Sequence, residues 1–242
     1  MATLENEFFQ LLKMIKYPVM LIIVLWVSHW LNYSQNFIYN AWGIYPREID
    51  GLIGVFAAPL LHSGIQHLFS NSIPMLFLTS IMVVFYPRVA GPSFLFIYFL
   101  AGFMVWLFGR NVYHIGASGV VYGLVAFVFW IGLFRKNSRS IVLSLIIVVM
   151  YSGYIAGVLP DQPGISWESH LLGGLVGMLV AFIFKDVLEP EEMELLKEQE
   201  VIEEQRYFYL PRDSFDKTKK QRAEELLRRQ NLERGGWTSD VS

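Results

Sequence analysis

A chain of 242 residues that is 54% hydrophobic and only 17% charged is too apolar for an ordinary water-soluble domain and implies several membrane spans. Its formal charge of −2 says little alone, but 24 of the 40 Asp, Glu, Lys and Arg residues lie after Val187, so a nearly uncharged membrane domain is followed by a charged tail. The absence of cysteine excludes disulfides, thiolate metal sites and a cysteine nucleophile.

Residues 1–16 read as a short amphipathic lead-in ending in Lys13 and Lys16, acidic at its start and lacking the pattern of a removable signal peptide. A first span follows over 17–33, carrying His29 but no formal charge. The connection over 34–66 holds Trp42, Pro46, Arg47, Glu48, Asp50 and Pro59; its length and its many large apolar groups imply a partly embedded structure rather than a loose loop. Further spans are predicted at 67–86, 93–109, 118–134, 140–158 and 169–185, giving an all-α bundle of six transmembrane helices, with Pro74 bending the second. Lys13, Lys16, Arg88, Arg135, Lys136, Arg139 and Lys185 fall on one side and only Arg47 and Arg110 on the other. The first side is therefore cytoplasmic, and both termini lie inside. Residues 187–242 read as a solvated cytoplasmic tail with helix-forming runs at 191–205 and 217–232, split at Leu210-Pro211. The sequence shows no internal repeat and no nucleic-acid-binding motif.

Three polar islands interrupt the apolar sequence: His62 to Asn71, His114 to Gly123, and Ser169 to Gly177. In this topology the second, fourth and sixth helices run from outside to inside, so their residues can be levelled against the basic residue at each inner end. Asn71 lies 17 positions before Arg88, Ser118 lies 17 before Arg135, and His170 lies 15 before Lys185. At 1.5 Å per residue all three sit roughly 22–26 Å above the inner surface, a few ångströms inside a hydrocarbon core about 30 Å thick. Hydrolysis at that depth needs a water-filled cavity, which polar residues at one level could line.

Ser118 and Tyr122 share a helix face, with Gly119 and Gly123 beside it. Gly173 and Gly177 form a Gly-x-x-x-Gly stripe just after His170. Such stripes let membrane helices approach closely, and closeness is what a serine and a histidine need to share a hydrogen bond. His67 and Asn71, four residues apart, present two hydrogen-bonding groups that could stabilise an oxyanion together with the Ser118 N–H. His62 reads as structural, orienting the loop. A zinc site fits poorly: His-Glu-x-x-His is absent and no carboxylate is expected at the level of His67 or His170. Asp161 and Glu168 are placed in the external loop, so a Ser-His dyad is simpler than a Ser-His-Asp triad, with Tyr122 stacking on the imidazole in the carboxylate's place. Two readings of other classes are a non-catalytic binder of membrane helices and a small-solute transporter. The first would usually lack the serine or the histidine, and the second calls for an inverted repeat and a charged midplane site that the sequence does not display.

His62-x4-His67-Leu68-x2-Asn71, Gly116-Ala117-Ser118-Gly119 with Val120-Val121-Tyr122, and His170-x2-Gly173-x3-Gly177 closely resemble the rhomboid family of intramembrane serine proteases. The resemblance covers about 17–186. It implies Ser118 as nucleophile, His170 as general base, His67, Asn71 and the Ser118 N–H as oxyanion hole, and Tyr122 against the histidine. Gly116, Gly119, Gly173, Gly177 and His62 take supporting places. It implies membrane-anchored protein substrates cut in or near their spanning segment, a multi-pass protein of the bacterial plasma membrane, and no metal or cofactor beyond water. The Trp-Arg pair common in the family's first loop is not evident here, although Trp42 and Arg47 are near, and the pattern after the second span is reduced to Tyr86-Pro87-Arg88-Val89-Ala90-Gly91.

Overall fold

Lipid tails are as apolar as leucine, so helices in a bilayer gain little by merely hiding apolar faces and associate through close fit and interhelical hydrogen bonds. A computed structural model describes residues 2–136, 138–160, 166–207 and 217–235. Its first unit, Met1–Glu189, contains α1 (Ala2–Ser34), α2 (Gly54–Ala57), α3 (Ile65–Phe85), α4 (Pro87–Phe108), α5 (Ser118–Arg135), α6 (Ser138–Tyr151) and α7 (Trp167–Phe184). Among the described residues there is no strand, only an isolated antiparallel bridge between Ile44 and His114.

Among the described residues, five segments are long and apolar enough to cross a membrane: Met14–Ser34 within α1, then α3, α4, α5 and α7. The stretch Ser138–Tyr154 is apolar but shorter. Where a helix is expected over 140–158, the chain is α-helical only to Tyr151 and then tightens into a 3-10 turn over Ser152–Val158. Nor do the lead-in and the first span separate, because α1 is one helix with Pro18 inside it. Likewise α4 starts earlier than its apolar run, with Pro87 in its first turn, where a missing N–H costs nothing.

α5 is the central post, packed against α3, α4, α6 and α7. Its Leu124, Phe127, Val128 and Ile131 are fully buried. Among the described helices its contact with α7 is the most extensive, and glycine makes it possible: a Cβ on Gly173 or Gly177 would run into the carbonyl oxygen of Gly119 or Gly123. The two backbones therefore touch across the stripe. α1 lies on α3, with Trp26 Nε1 donating to Ser72 Oγ at 3.2 Å.

The connection between α1 and α3 is a set of short helical turns fastened to α4. Tyr98 donates to the Phe56 carbonyl at 2.6 Å and Trp106 Nε1 to that of Glu48 at 2.8 Å. Arg47, held at a φ of 64°, spends its guanidinium on the carbonyls of Leu107 and Gly109 and on Asn111. Tying an otherwise unfavourable left-handed backbone from several sides is how such a conformation persists. At the far end of α5, buried Arg135 donates to the Val187 carbonyl at 2.7 Å and pairs with Glu189 at 3.3 Å, so its charge is compensated.

The second unit, Pro190–Ser242, contains α8 (Pro190–Tyr207) and α9 (Lys219–Gly235). Thr218 and Gln221 form a reciprocal capping box at the start of α9, Thr218 N donating to Gln221 Oε1 at 2.9 Å and Gln221 N to Thr218 Oγ1 at 3.4 Å. The expected break at Leu210-Pro211 lies outside the described residues, as does Asp161.

Candidate active site

Ser118 is the first residue of α5, so its N–H has no acceptor within the helix and points free at the helix start. Its Oγ lies 2.9 Å from Nε2 of His170, which ends the first turn of α7. The other ring nitrogen, Nδ1, lies 2.7 Å from the Gly157 carbonyl oxygen. A carbonyl can only accept, so Nδ1 carries the proton, and in the neutral ring Nε2 is left as the acceptor of the Ser118 hydroxyl. Tyr122, one turn after Ser118, stacks on the imidazole with ring centroids 4.1 Å apart and planes 8° from parallel. Its hydroxyl donates to the Tyr154 carbonyl at 2.7 Å. The imidazole is thus held by a hydrogen bond along its edge and a ring across its face.

His67 and Asn71 come from the first two turns of α3 and line the same cavity as Ser118 and His170, a space of about 700 Å³ that also receives Arg110, His114 and Ser166. The Asn71 amide donates to the backbone carbonyl of His67 at 3.0 Å, and His67 Nδ1 is 3.3 Å from Ser63 Oγ. Gly116 has a φ of 108°, and a Cβ there would strike the His67 ring. Only glycine meets both demands. Gly119, Gly173 and Gly177 lie in the α5–α7 contact rather than in the cavity wall.

His62 is completely buried, its ring edge-on to that of His67 with centroids 5.0 Å apart. Burial, reinforced by His67, pushes its pKa down to about 3, so it stays neutral. It does not line the cavity.

Sequence reasoning placed one residue wrongly. Glu168 is not in the external loop but in the first turn of α7, buried, two residues before His170. Its carboxylate is taken by Arg110, 58 residues away, through Nε and at 3.2 Å through Nη2. The polar anchor of His170 Nδ1 is therefore the Gly157 backbone, with a carboxylate nearby but committed elsewhere. The Gly157 carbonyl has no signature in the sequence. The pairing of Glu168 was signalled only by Arg110 being one of two basic residues on its side of the bundle. Also unforeseen is the contact of His114 Nδ1 with Ser166 Oγ, 2.5 Å.

Residues 50–186, more than half of the chain, match the family model of the Rhomboid domain. The chain belongs to the rhomboid family. Rhomboid proteins are known as intramembrane serine proteases, and this member is an integral membrane protein embedded in lipid. An uncharacterized protein of Mycobacterium tuberculosis is 37% identical over 155 residues, covering 58% of this chain and 62% of its own. One of Mycobacterium leprae is 34% identical over 158 residues, 58% of this chain and 59% of its own. A putative rhomboid protein of Acanthamoeba polyphaga mimivirus is 26% identical over 180 residues, 72% of this chain and 92% of its own. The chain thus spans less than two thirds of the mycobacterial relatives it matches.

Proposed function

We propose that this rhomboid protein is a serine endopeptidase that cuts membrane-anchored proteins in or near their spanning segment, using Ser118 and His170 as a dyad. The observation that carries this reading is the 2.9 Å approach of Ser118 Oγ to an imidazole nitrogen that the Gly157 hydrogen bond leaves free to accept.

In this mechanism Ser118 Oγ attacks the substrate carbonyl carbon and its proton passes to His170 Nε2. The imidazolium is stabilised by the Gly157 carbonyl at Nδ1 and by the face of Tyr122. The tetrahedral oxyanion accepts hydrogen bonds from the Ser118 N–H, His67 and Asn71, groups preset around the cavity before charge develops. As the intermediate collapses, the C–N bond breaks and His170 returns the proton to the leaving amine. A water from the cavity, deprotonated by His170, then attacks the acyl ester, releasing the carboxylate product and restoring the Ser118 hydroxyl. No metal or cofactor enters.

The protease domain is proposed to occupy 17–186 with six spans, the stretch Ser138–Tyr154 being the shortest, and both the lead-in 1–16 and the tail 187–242 cytoplasmic. The bacterial plasma membrane is the proposed location. Ser118→Ala should abolish cleavage and labelling by a fluorophosphonate probe, and His170→Ala should abolish labelling too, with folding nearly unchanged. A Ser118→Ala protein that still cuts a membrane-anchored substrate sinks the reading.

A further inference from the structure

The cavity holds a second buried imidazole that the dyad does not use. His114, four residues before Ser118, has its backbone locked to Ile44 by two hydrogen bonds, N to O in each direction, at 2.9 and 3.0 Å. Its Nε2 lies 3.0 Å from the Arg110 carbonyl, which can only accept, so Nε2 carries the proton and Nδ1 accepts from the Ser166 hydroxyl. Burial lowers the His114 pKa below the usual histidine value, which keeps Nδ1 an acceptor. Ser166, its own proton given to His114, accepts in turn from Ser169 Oγ at 2.6 Å.

Ser166 stands immediately before α7, and its backbone carbonyl accepts the N–H of Ser169 at 3.0 Å and of His170 at 3.3 Å. A continuous chain of bonds therefore runs from the loop that delivers Ser118, through the His114 ring, to the carbonyl that caps the turn bearing His170. We propose that His114 is a positioning residue: through Ser166 it sets the first turn of α7, and with it the His170 imidazole, against Ser118. The inference rests on reading Ser118 and His170 as the catalytic pair. The Arg110–Glu168 ion pair runs beside this tie and joins the same two segments, from four residues before His114 to two residues after Ser166.

His114→Phe keeps the ring and removes the acceptor, while His114→Asn offers a side-chain oxygen where Nδ1 lies. In the full-length protein in detergent, His114→Phe should slow fluorophosphonate labelling of Ser118 about 10- to 100-fold, the scale of a misplaced catalytic group. It should also speed hydrogen exchange at the Ser169 and His170 amides, and His114→Asn should recover most of both. Ser166→Ala, which attacks the tie from its other end, should match His114→Phe, and the double variant should be no worse than either. Labelling of His114→Phe at the wild-type rate, or an Asn variant as slow as Phe, overturns the proposal. Wild-type protein that never labels at Ser118 sinks the protease reading instead. The exchange comparison then decides His114 alone, and unchanged exchange in α7 overturns it.

Discussion

α7 and α6 both lean on α5 through glycine, α7 along the stripe near Ser118 and α6 at Gly132, where a Cβ would strike Ser144 Oγ and the Ser140 carbonyl. α7 is pressed so close that glycine backbones touch, and it also packs on α4. α6 rests on α5 and on the turn that follows it, joined to α5 by Ser144 Oγ, which donates to the Phe129 carbonyl at 2.8 Å. Its outer face exposes Val142, Leu145, Val149 and Met150. Between α5, α6 and α7 an apolar groove of about 470 Å³ runs from Trp130 and Met178 up to Tyr122 and His170. The tight contact sets the distance between Ser118 and His170. The turn after α6 supplies the two carbonyls, of Tyr154 and Gly157, that orient the rings. Distance and orientation are therefore maintained by separate parts of the bundle, the α5–α7 glycine contact and the turn that follows α6.

The strongest way to break this contrast is to spoil the tight side. Gly173→Leu drives a side chain into the Gly119 carbonyl, and neither backbone can yield without parting the helices. A loss of about 3 kcal/mol or more is expected, with fluorophosphonate labelling abolished. The neighbouring Gly174 is an internal control, since a Cβ there meets nothing within 4 Å. Gly174→Leu should leave the thermal midpoint and labelling close to wild type. Equal damage from both would mean that the contact with the Gly119 carbonyl is not what the substitution at Gly173 spoils, since leucine is the better helix former at either position.

The same contrast explains what could be read from sequence. Unbroken apolar runs place α3, α5 and α7 within two residues of their predicted bounds, because a bilayer demands length and apolarity of any helix that crosses it. Ser118, His170, His67 and Asn71 stood out as polar side chains in greasy surroundings. Gly157 could not, because its contribution is a backbone carbonyl that every residue possesses, delivered by a turn whose end in space depends on how α6 is seated. Glu168 was misplaced because a charge at a helix start reads as loop until its neutralising partner is known, and Arg110 is remote in sequence. The starts predicted at 17 and 93 are also late, because α1 runs unbroken through Pro18 and α4 already begins at Pro87.

Acid should act on the side of the molecule where histidines are buried. His62, neutral down to about pH 3 when folded, takes up a proton near pH 6.5 once unfolded. Between those values the unfolded chain binds the extra proton, so stability rises with pH across the window and falls as the solution is acidified from about 6.5 towards 3. This group alone can contribute up to about 1.4 kcal/mol per pH unit, and His114 acts in the same direction. Thermal midpoints of the wild type should therefore drop between pH 7 and 4. His62→Leu should flatten that slope relative to its own value at pH 7, and an unchanged slope would show that His62 is not the group being titrated.

The smallest effect is expected on the outer face of α6. Val149 is 77% exposed and Leu145 is 60% exposed, and neither belongs to the packed core. Their truncation takes nothing from the packed core and leaves the Ser144 bond and both ring-orienting carbonyls in place. Val149→Ala and Leu145→Ala should accordingly shift stability by no more than about 0.5 kcal/mol, with fluorophosphonate labelling close to the wild-type rate. A fluorophosphonate is small and should reach Ser118 through the cavity, whereas the proposed membrane-anchored substrate would arrive through lipid. Should either variant label normally yet cut a membrane-anchored substrate much more slowly, the exposed outer face of α6 would be part of the substrate's route, and its exposure would serve access rather than only contact with lipid.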